Sequence, residues 1–143
     1  MNTLRYIFRI FVLVGIFASL SFSPNITAKG IQFFDGDFRA ALSESKKTGK
    51  PIFIDVYATW CGPCKQLKRS TFKDEEVGNY FNKNFICIGI DGETDEGRGI
   101  RDFYNVRSYP TLLITDSNGK LLTRAEGFMK PYILINFGKR IVP

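Results

Sequence analysis

Two cysteines, Cys61 and Cys64, are the residues of this sequence best suited to chemistry, and they enclose Gly62 and Pro63. Two thiols at this spacing can alternate between a reduced pair and a disulfide by exchange with another disulfide. The attacking species is a thiolate, and a thiol with an ordinary pKa of about 8.5 is only a few per cent ionised at pH 7. The pair therefore predicts reversible thiol–disulfide exchange, provided that the surrounding chain lowers the pKa of one thiol.

The residues on either side of the pair predict a strand that leads into a helix. Residues 52–57 are β-branched and aromatic apart from Asp55, and a helical pattern begins at Lys65. Cys61 would then lie at the helix N-terminus, where free backbone N–H groups and the helix dipole stabilise a thiolate. Lys65 adds a positive charge nearby. Pro63 suits the first helical turn, because the N–H that it lacks would have no partner there.

Two other interpretations of the cysteine pair have little support. A structural zinc site needs four nitrogen or sulfur ligands, and the chain has three cysteines and no histidine. A stabilising disulfide would be poorly placed, because closing a four-residue ring contributes about 2 kcal/mol, against about 4.7 kcal/mol for a hundred-residue loop. Neither a metal nor an inert crosslink is therefore expected at this position.

Two segments carry a recognisable pattern. Residues 54–65 read Ile-Asp-Val-Tyr-Ala-Thr-Trp-Cys-Gly-Pro-Cys-Lys, and residues 106–111 read Val-Arg-Ser-Tyr-Pro-Thr. The first resembles the active-site segment of thioredoxins, and the second resembles the loop of that family in which a cis-proline, here Pro110, faces the dithiol. The resemblance runs from about Phe33 to Arg140. It implies an α/β, thioredoxin-like fold with a central mixed β-sheet flanked by helices.

The resemblance also implies catalytic roles. Cys61 attacks a substrate disulfide as the nucleophile, Cys64 resolves the mixed disulfide, and the two close the Cys61–Cys64 redox disulfide without a cofactor. Asp55 accepts the proton of Cys64. A carboxylate within an apolar strand is costly to bury as an ion, so we expect its pKa to be raised. The alternative is an acid at the strand end that faces solvent.

Substrate contacts follow from the same resemblance. Aromatic rings at Trp60 and Tyr109 would hold an extended peptide beside the nucleophile, with backbone hydrogen bonds at Tyr109 and around Gly127. For Phe128, core packing is an equal alternative. The implied contact residues are Trp60, Gly62, Pro63, Tyr109, Pro110 and Gly127.

Several residues depart from the thioredoxin pattern. Arg69 stands where many thioredoxins have a kinking proline, and Cys87 stands where a lysine often partners the buried acid. Tyr57 replaces a common tryptophan. Cys87 lies in an apolar run, which predicts a buried and inert core thiol, with a regulatory thiol as the alternative. These departures favour a specialised, exported relative over a general thioredoxin.

The N-terminus has the pattern of a secretory signal. Arg5 and Arg9 precede an uncharged apolar stretch at residues 10–22, and a small residue, Ala28, follows. The apolar stretch is shorter than the roughly 20 residues of a membrane-spanning helix, although an uncleaved anchor that includes the flanks is the alternative. We therefore expect a signal peptide at residues 1–28 and a thioredoxin-like domain at residues 29–143.

The remaining sequence alternates between helical and strand patterns, as an α/β domain requires. Asn118-Gly119 between apolar runs indicates a hairpin. The predicted elements are helices at 37–47, from Cys64 to about 72, from about 73 to 82, at 98–104 and at 131–140, with strands at 52–57, at 85–91 and on either side of the hairpin turn.

Together these patterns predict an exported thiol–disulfide oxidoreductase that reduces protein disulfides in the bacterial periplasm, or at the outer face of the inner membrane if the signal stays uncleaved. Residues 71–77 resemble exported thioredoxin-like domains, and a membrane electron donor is the expected source of electrons. Disulfide-containing proteins are the expected clients of a monomer. A disulfide oxidase or isomerase, or a non-catalytic binding module, remains open.

The excess of basic over acidic residues does not indicate a nucleic-acid partner. The formal net charge is +6, but no motif that reads nucleic acid accompanies it. The cations of the helix after the cysteine pair, Lys65, Lys68 and Arg69, are expected to be solvated.

Overall fold

The computed structural model describes residues 29–143, and its centre is a mixed sheet of four strands. The strands are β1 (Ile52–Tyr57), β2 (Ile86–Asp91), β3 (Thr111–Thr115) and β4 (Leu121–Glu126), in the spatial order β2-β1-β3-β4. β1 pairs in parallel with β2 and antiparallel with β3, and β3 pairs antiparallel with β4. The predicted mixed sheet is confirmed.

Within residues 29–143, five α-helices flank the sheet. They are α1 (Phe38–Thr48), α2 (Gly62–Arg69), α3 (Glu75–Asn84), α4 (Asp95–Phe103) and α5 (Pro131–Lys139), and a 3₁₀ turn at Thr71–Lys73 follows α2. The predicted helices are all present, with shifts at their ends. The helix after the cysteines ends at Arg69 and not near residue 72, because the 3₁₀ turn intervenes.

The first residue of α4 was predicted three residues too late. The Thr94 hydroxyl oxygen accepts a hydrogen bond from the Gly97 N–H at 3.1 Å, and Asp95 and Glu96 occupy the first turn. A hydroxyl cap and acidic first-turn residues favour a helix start there. Because Gly97 lowers helix propensity, the sequence pattern pointed to a loop at this segment.

The core divides between the two faces of the sheet. Residues along a strand point alternately to opposite faces, so Phe53 packs with α2, α3 and α5 while Ile52 and Ile54 pack with α1. Asp55 follows this alternation and lies on the same face as Phe53. The central strand therefore directs a carboxylate toward the helix that carries both cysteines.

The predicted signal peptide or anchor, residues 1–28, lies outside the described residues and stays a prediction. None of the helices in the described part of the chain is both long and apolar enough to cross a membrane.

Two glycines of α4 differ in the space around them, and this difference gives a prediction for stability. A Cβ atom on Gly97 would lie 1.8 Å from the backbone oxygen of Asp91, whereas one on Gly99 would have no neighbour within 4 Å. We expect Gly97→Ala to lower the free energy of unfolding by about 3 kcal/mol. Gly99→Ala should raise it by about 0.5–1 kcal/mol through helix propensity. Chemical denaturation of both variants tests this, and equal stabilities would contradict the close approach of α4 to β2.

Candidate active site

The two cysteines form a disulfide at the N-terminus of α2. Cys61 is the N-cap residue, its Cα lies 5.3 Å from that of Cys64, and the Cys64 N–H donates a hydrogen bond to Cys61 Sγ at 3.1 Å. Pro63 lies in the first turn, as predicted. A sulfur held against the free N–H groups of a helix is in the environment that favours a thiolate after reduction.

The disulfide is recessed below an exposed aromatic surface. Cys61 is 3% and Cys64 1% exposed, whereas Trp60 is 68% exposed. The Trp60 ring meets the Tyr109 ring edge to face, with centroids 5.9 Å apart. Gly62 is exposed, and a Cβ atom on it would have no neighbour within 4 Å. A partner protein can therefore approach the disulfide over the backbone of Gly62 and beside the rings of Trp60 and Tyr109.

The loop that carries Pro110 packs against this surface. The Tyr109–Pro110 peptide bond is cis, as the resemblance implied. The Thr111 hydroxyl donates to the Ser108 carbonyl at 2.8 Å, and the Gly127 N–H donates to the Pro110 carbonyl at 2.8 Å. The predicted positions Pro110 and Gly127 are thus joined directly, and this Gly127 N–H is already used within the protein.

A polar network that the sequence did not indicate holds Tyr109. The Tyr109 hydroxyl donates to the Glu93 carboxylate at 2.9 Å and accepts from Arg101 at 3.3 Å, and Arg101 lies 3.5 Å from the same carboxylate. Burial raises the pKa of Tyr109, and its hydrogen bond with Arg101 opposes this. A Cβ atom on Gly92 would lie 2.2 Å from the Tyr109 hydroxyl oxygen, so this glycine makes room for the ring.

Asp55 is buried in the middle of β1. Its side chain is fully inaccessible, and neither carboxylate oxygen has a hydrogen-bond partner within residues 29–143. Burial raises the pKa of Asp55 from 3.8 to about 7, and the nearby charge of Lys68 opposes this rise. Asp55 is thus a desolvated acid that titrates near neutral pH, and it is not the solvent-facing residue of the alternative interpretation.

Lys68 is the site residue that sequence reasoning missed. Lys68 is exposed, as expected of a solvated cation, but its Nζ also lies 3.0 Å from the centre of the Tyr57 ring. Burial lowers the pKa of Lys68, while Asp55 and Asp91 raise it. The signal that could have found it is its position one helical turn after Cys64, which places it on the same side of α2.

The third cysteine lies away from the disulfide. Cys87 is free and 2% exposed in β2, where its sulfur lies 4.0 Å from the Phe81 carbonyl oxygen. Burial raises the pKa of its thiol strongly. Cys87 is therefore the buried core thiol that the sequence predicted. Within residues 29–143, no group of three or more His, Cys, Asp or Glu side chains is placed to hold a metal ion.

Comparisons with known proteins agree with this geometry. A family model described as a thioredoxin-like domain matches residues 38–141. The solution structure of a candidate disulphide isomerase from Bacteroides thetaiotaomicron is 39% identical, with a TM-score of 0.70, and the match covers 78% of this chain and 93% of that one. The crystal structure of the oxidised C-terminal domain of DsbD from Neisseria meningitidis is 25% identical, with a TM-score of 0.61, covering 71% of this chain and 90% of that one.

A curated relative is much longer than this chain. The thiol:disulfide interchange protein DsbD of Yersinia pestis is 33% identical over 94 residues, which are 64% of this chain and 16% of that protein. The chain therefore spans less than a fifth of the length of this relative.

The raised pKa of Asp55 predicts how stability depends on pH. The unfolded chain releases this proton near pH 3.8 and the folded chain near pH 7, so the stability of the oxidised protein falls as pH rises through this interval. Asp55→Asn removes the free-energy cost of ionising a buried carboxyl group, which is of the order of 4 kcal/mol above pH 7. We expect the variant to exceed the wild type in free energy of unfolding at pH 8 and to lose this advantage toward pH 4.

Chemical denaturation at several pH values measures the effect, with the exposed Asp102→Asn as the control. A constant difference between Asp55→Asn and wild type from pH 4 to pH 8 would show that Asp55 titrates as an ordinary carboxyl.

Proposed function

Because the chain belongs to the thioredoxin-like domain family, we propose that it is an exported reductase of protein disulfides that works through Cys61 and Cys64. The chain is a thiol–disulfide oxidoreductase domain with a close cysteine pair. The observation that carries the proposal is the position of Cys61, whose sulfur caps α2 and accepts a hydrogen bond from the Cys64 N–H. This environment stabilises the thiolate that attacks a substrate disulfide.

The cycle has two exchange steps. The Cys61 thiolate attacks one sulfur of the substrate disulfide, and the bond that forms is the mixed disulfide while the other substrate sulfur leaves as a thiolate. Cys64 then loses its proton and attacks Cys61 Sγ. The Cys61–Cys64 bond forms, the bond to the substrate breaks, and the second substrate sulfur leaves as a thiolate. The substrate gains two electrons, and the cysteine pair loses two.

Asp55 is the proposed acceptor of the Cys64 proton. Its side chain lies on the face of β1 that packs against the helix carrying Cys64, and its pKa of about 7 suits a general base near neutral pH. A carboxylate without fixed hydrogen-bond partners can take a proton without breaking a bond to the protein.

Substrate contacts come from the surface above the disulfide. The exposed ring of Trp60 and the fixed ring of Tyr109 would flank an extended peptide, and Gly62, Pro63 and Pro110 would lie beneath it. The N–H of Gly127 bonds to Pro110, so the contribution of Gly127 is to hold this loop in place.

The proposals of export and of a membrane electron donor rest on the N-terminal sequence and on the comparisons. The charged and apolar pattern of residues 1–28 supports secretion to the periplasm, or anchorage if it stays uncleaved. Once outside the cytosol, the oxidised pair needs a membrane donor to become reduced again. The match to a thiol:disulfide interchange protein supports exchange with protein partners, and we propose that the chain acts as a monomer.

Disulfide isomerisation or oxidation is the second candidate. It is favoured by the structure from Bacteroides thetaiotaomicron, which is described as a candidate disulphide isomerase and is 39% identical. The two candidates use the same cysteines and differ in the reduction potential of the pair, because a reductase needs a stable disulfide and an oxidase an unstable one.

Trapping identifies the attacking cysteine. We expect Cys64→Ser to accumulate a covalent mixed disulfide with a disulfide-bonded peptide, because Cys61 attacks and nothing resolves the adduct. Cys61→Ser should form none, and the matched control Cys87→Ser should turn over like wild type. Non-reducing gels and mass spectrometry detect the adduct. An adduct on Cys61→Ser and none on Cys64→Ser would reverse the assignment, and activity of Cys61→Ser in a biological assay would favour a binding module.

The reduction potential of the Cys61–Cys64 pair separates the two candidates. Equilibration of residues 29–143 in a dithiothreitol series, followed by thiol alkylation, measures it. We expect a value near the −270 mV or so of reducing thioredoxins. A value above about −200 mV would assign the protein to the oxidases or isomerases.

A further inference from the structure

Asp55 lines a cavity of about 490 Å³ to which Lys68 of α2 also contributes. Aromatic rings form much of its wall, and three lysines from different segments line it. The lining includes Lys29, Phe33, Tyr57, Lys68, Phe72 and Gly89. A fully buried acid with no hydrogen-bond partner in the described residues is thus directed into a space with cations at its edge.

A glycine in the neighbouring strand leaves this cavity open. Gly89 is the register partner of Asp55 across β1 and β2, and it is exposed. A Cβ atom there would lie 3.5 Å from the Tyr57 ring and 3.7 Å from the Phe33 ring. A larger side chain at this position would enter the space beside the acid.

Lys68 links the helix of the cysteines to this cavity. Lys68 follows Cys64 by one helical turn, so the two side chains share a side of α2. Its Nζ lies over the Tyr57 ring, 3.0 Å from the centroid. Tyr57 is two residues after Asp55 in β1, so both side chains point to the same face of the sheet. The ammonium group is therefore held by a cation–π contact on the side of the sheet where Asp55 is buried.

We propose that Lys68 is a positioning residue for the reaction at Cys64. Its ammonium group lies over the Tyr57 ring and is the counter-charge of the Asp55 carboxylate. Cys87 of β2 stands where many thioredoxins have a lysine, so in this chain the positive charge comes from α2 and not from β2. The role rests on the proposed function, because it matters only if Asp55 accepts the Cys64 proton. The proton passes from the Cys64 thiol to the Asp55 carboxylate, and the resulting thiolate attacks Cys61 Sγ.

The charges that face Asp55 favour Lys68 for this role. Lys29 and Lys73 also line the cavity, and Asp91 acts on Tyr57 and Lys68. Among these groups, Lys68 is the cation that lowers the pKa of Asp55, and Asp55 in turn raises that of Lys68. The antiparallel neighbour of Asp55 in β3 is Leu112, which carries no charge. Removal of the Lys68 charge should therefore leave Asp55 protonated over a wider pH range.

The test is a ¹³C NMR titration of the Asp55 carboxyl in oxidised full-domain variants. Lys68→Met keeps the length of the side chain and removes its charge, and we expect the Asp55 midpoint to rise by about one pH unit. Lys68→Glu should raise it further, Lys68→Arg should restore it, and the neighbouring Arg69→Met should leave it at the wild-type value. An unchanged midpoint in Lys68→Met, or the same rise in Arg69→Met, would overturn the proposal.

A kinetic measurement ties the charge to the reaction. The reaction starts from the reduced protein. In Lys68→Met, the pH profile of the rate at which Cys64 resolves the mixed disulfide should move to higher pH, as the Asp55 midpoint does. The rate of the first attack by Cys61 should equal that of wild type. If wild type reduces no disulfide but the titration of Lys68→Met shifts, the proposed function fails and the charge pairing stands. If wild type is active and the profile of Lys68→Met does not move, the role of Lys68 fails alone.

Discussion

The burial of a carboxylate in the central strand is the constraint on which the site depends. β1 has neighbours on both sides and helices on both faces, so the Asp55 side chain has no contact with water in the folded domain. A desolvated carboxylate prefers to keep its proton, which is why the pKa of Asp55 lies near 7. Burial of this carboxylate beneath α2 therefore lowers the stability of the fold at neutral pH.

Residues of β2, of α2 and of the segment after β2 shape the space and the charge around the site. Gly89 leaves space beside the acid, and the positive charge of Lys68 lies over the Tyr57 ring. Gly92 makes room for Tyr109, and Glu93 and Arg101 hold its hydroxyl. Two glycines in and after β2 thus shape the surroundings of Asp55 and Tyr109, although β2 itself carries no residue of the proposed exchange reaction.

The sequence predicted the features that depend on local patterns. The apolar run of β1, the proline in the first turn of α2 and the helical periodicity after Cys64 placed Cys61 at a helix N-terminus. The charge within an apolar run marked Asp55 as a buried acid. Lys68 escaped notice because it is an exposed lysine on an amphipathic helix, and its contact with the Tyr57 ring of β1 depends on how the helix packs on the sheet. The contact of Glu93 with Tyr109 likewise joins segments 16 residues apart, and no periodicity encodes it.

The burial of Cys87 bears on how the chain acquires its correct covalent form. Three cysteines allow three different pairings, two of which would leave the redox pair broken. Pairing of β2 with β1 places Cys87 among the phenylalanines of the core, whereas Cys61 and Cys64 lie together at the start of α2. In the folded domain the geometry therefore supports the Cys61–Cys64 pairing and leaves Cys87 free. Oxidation after the sheet has formed would favour this pairing, whereas the unfolded chain has no such preference for leaving Cys87 out.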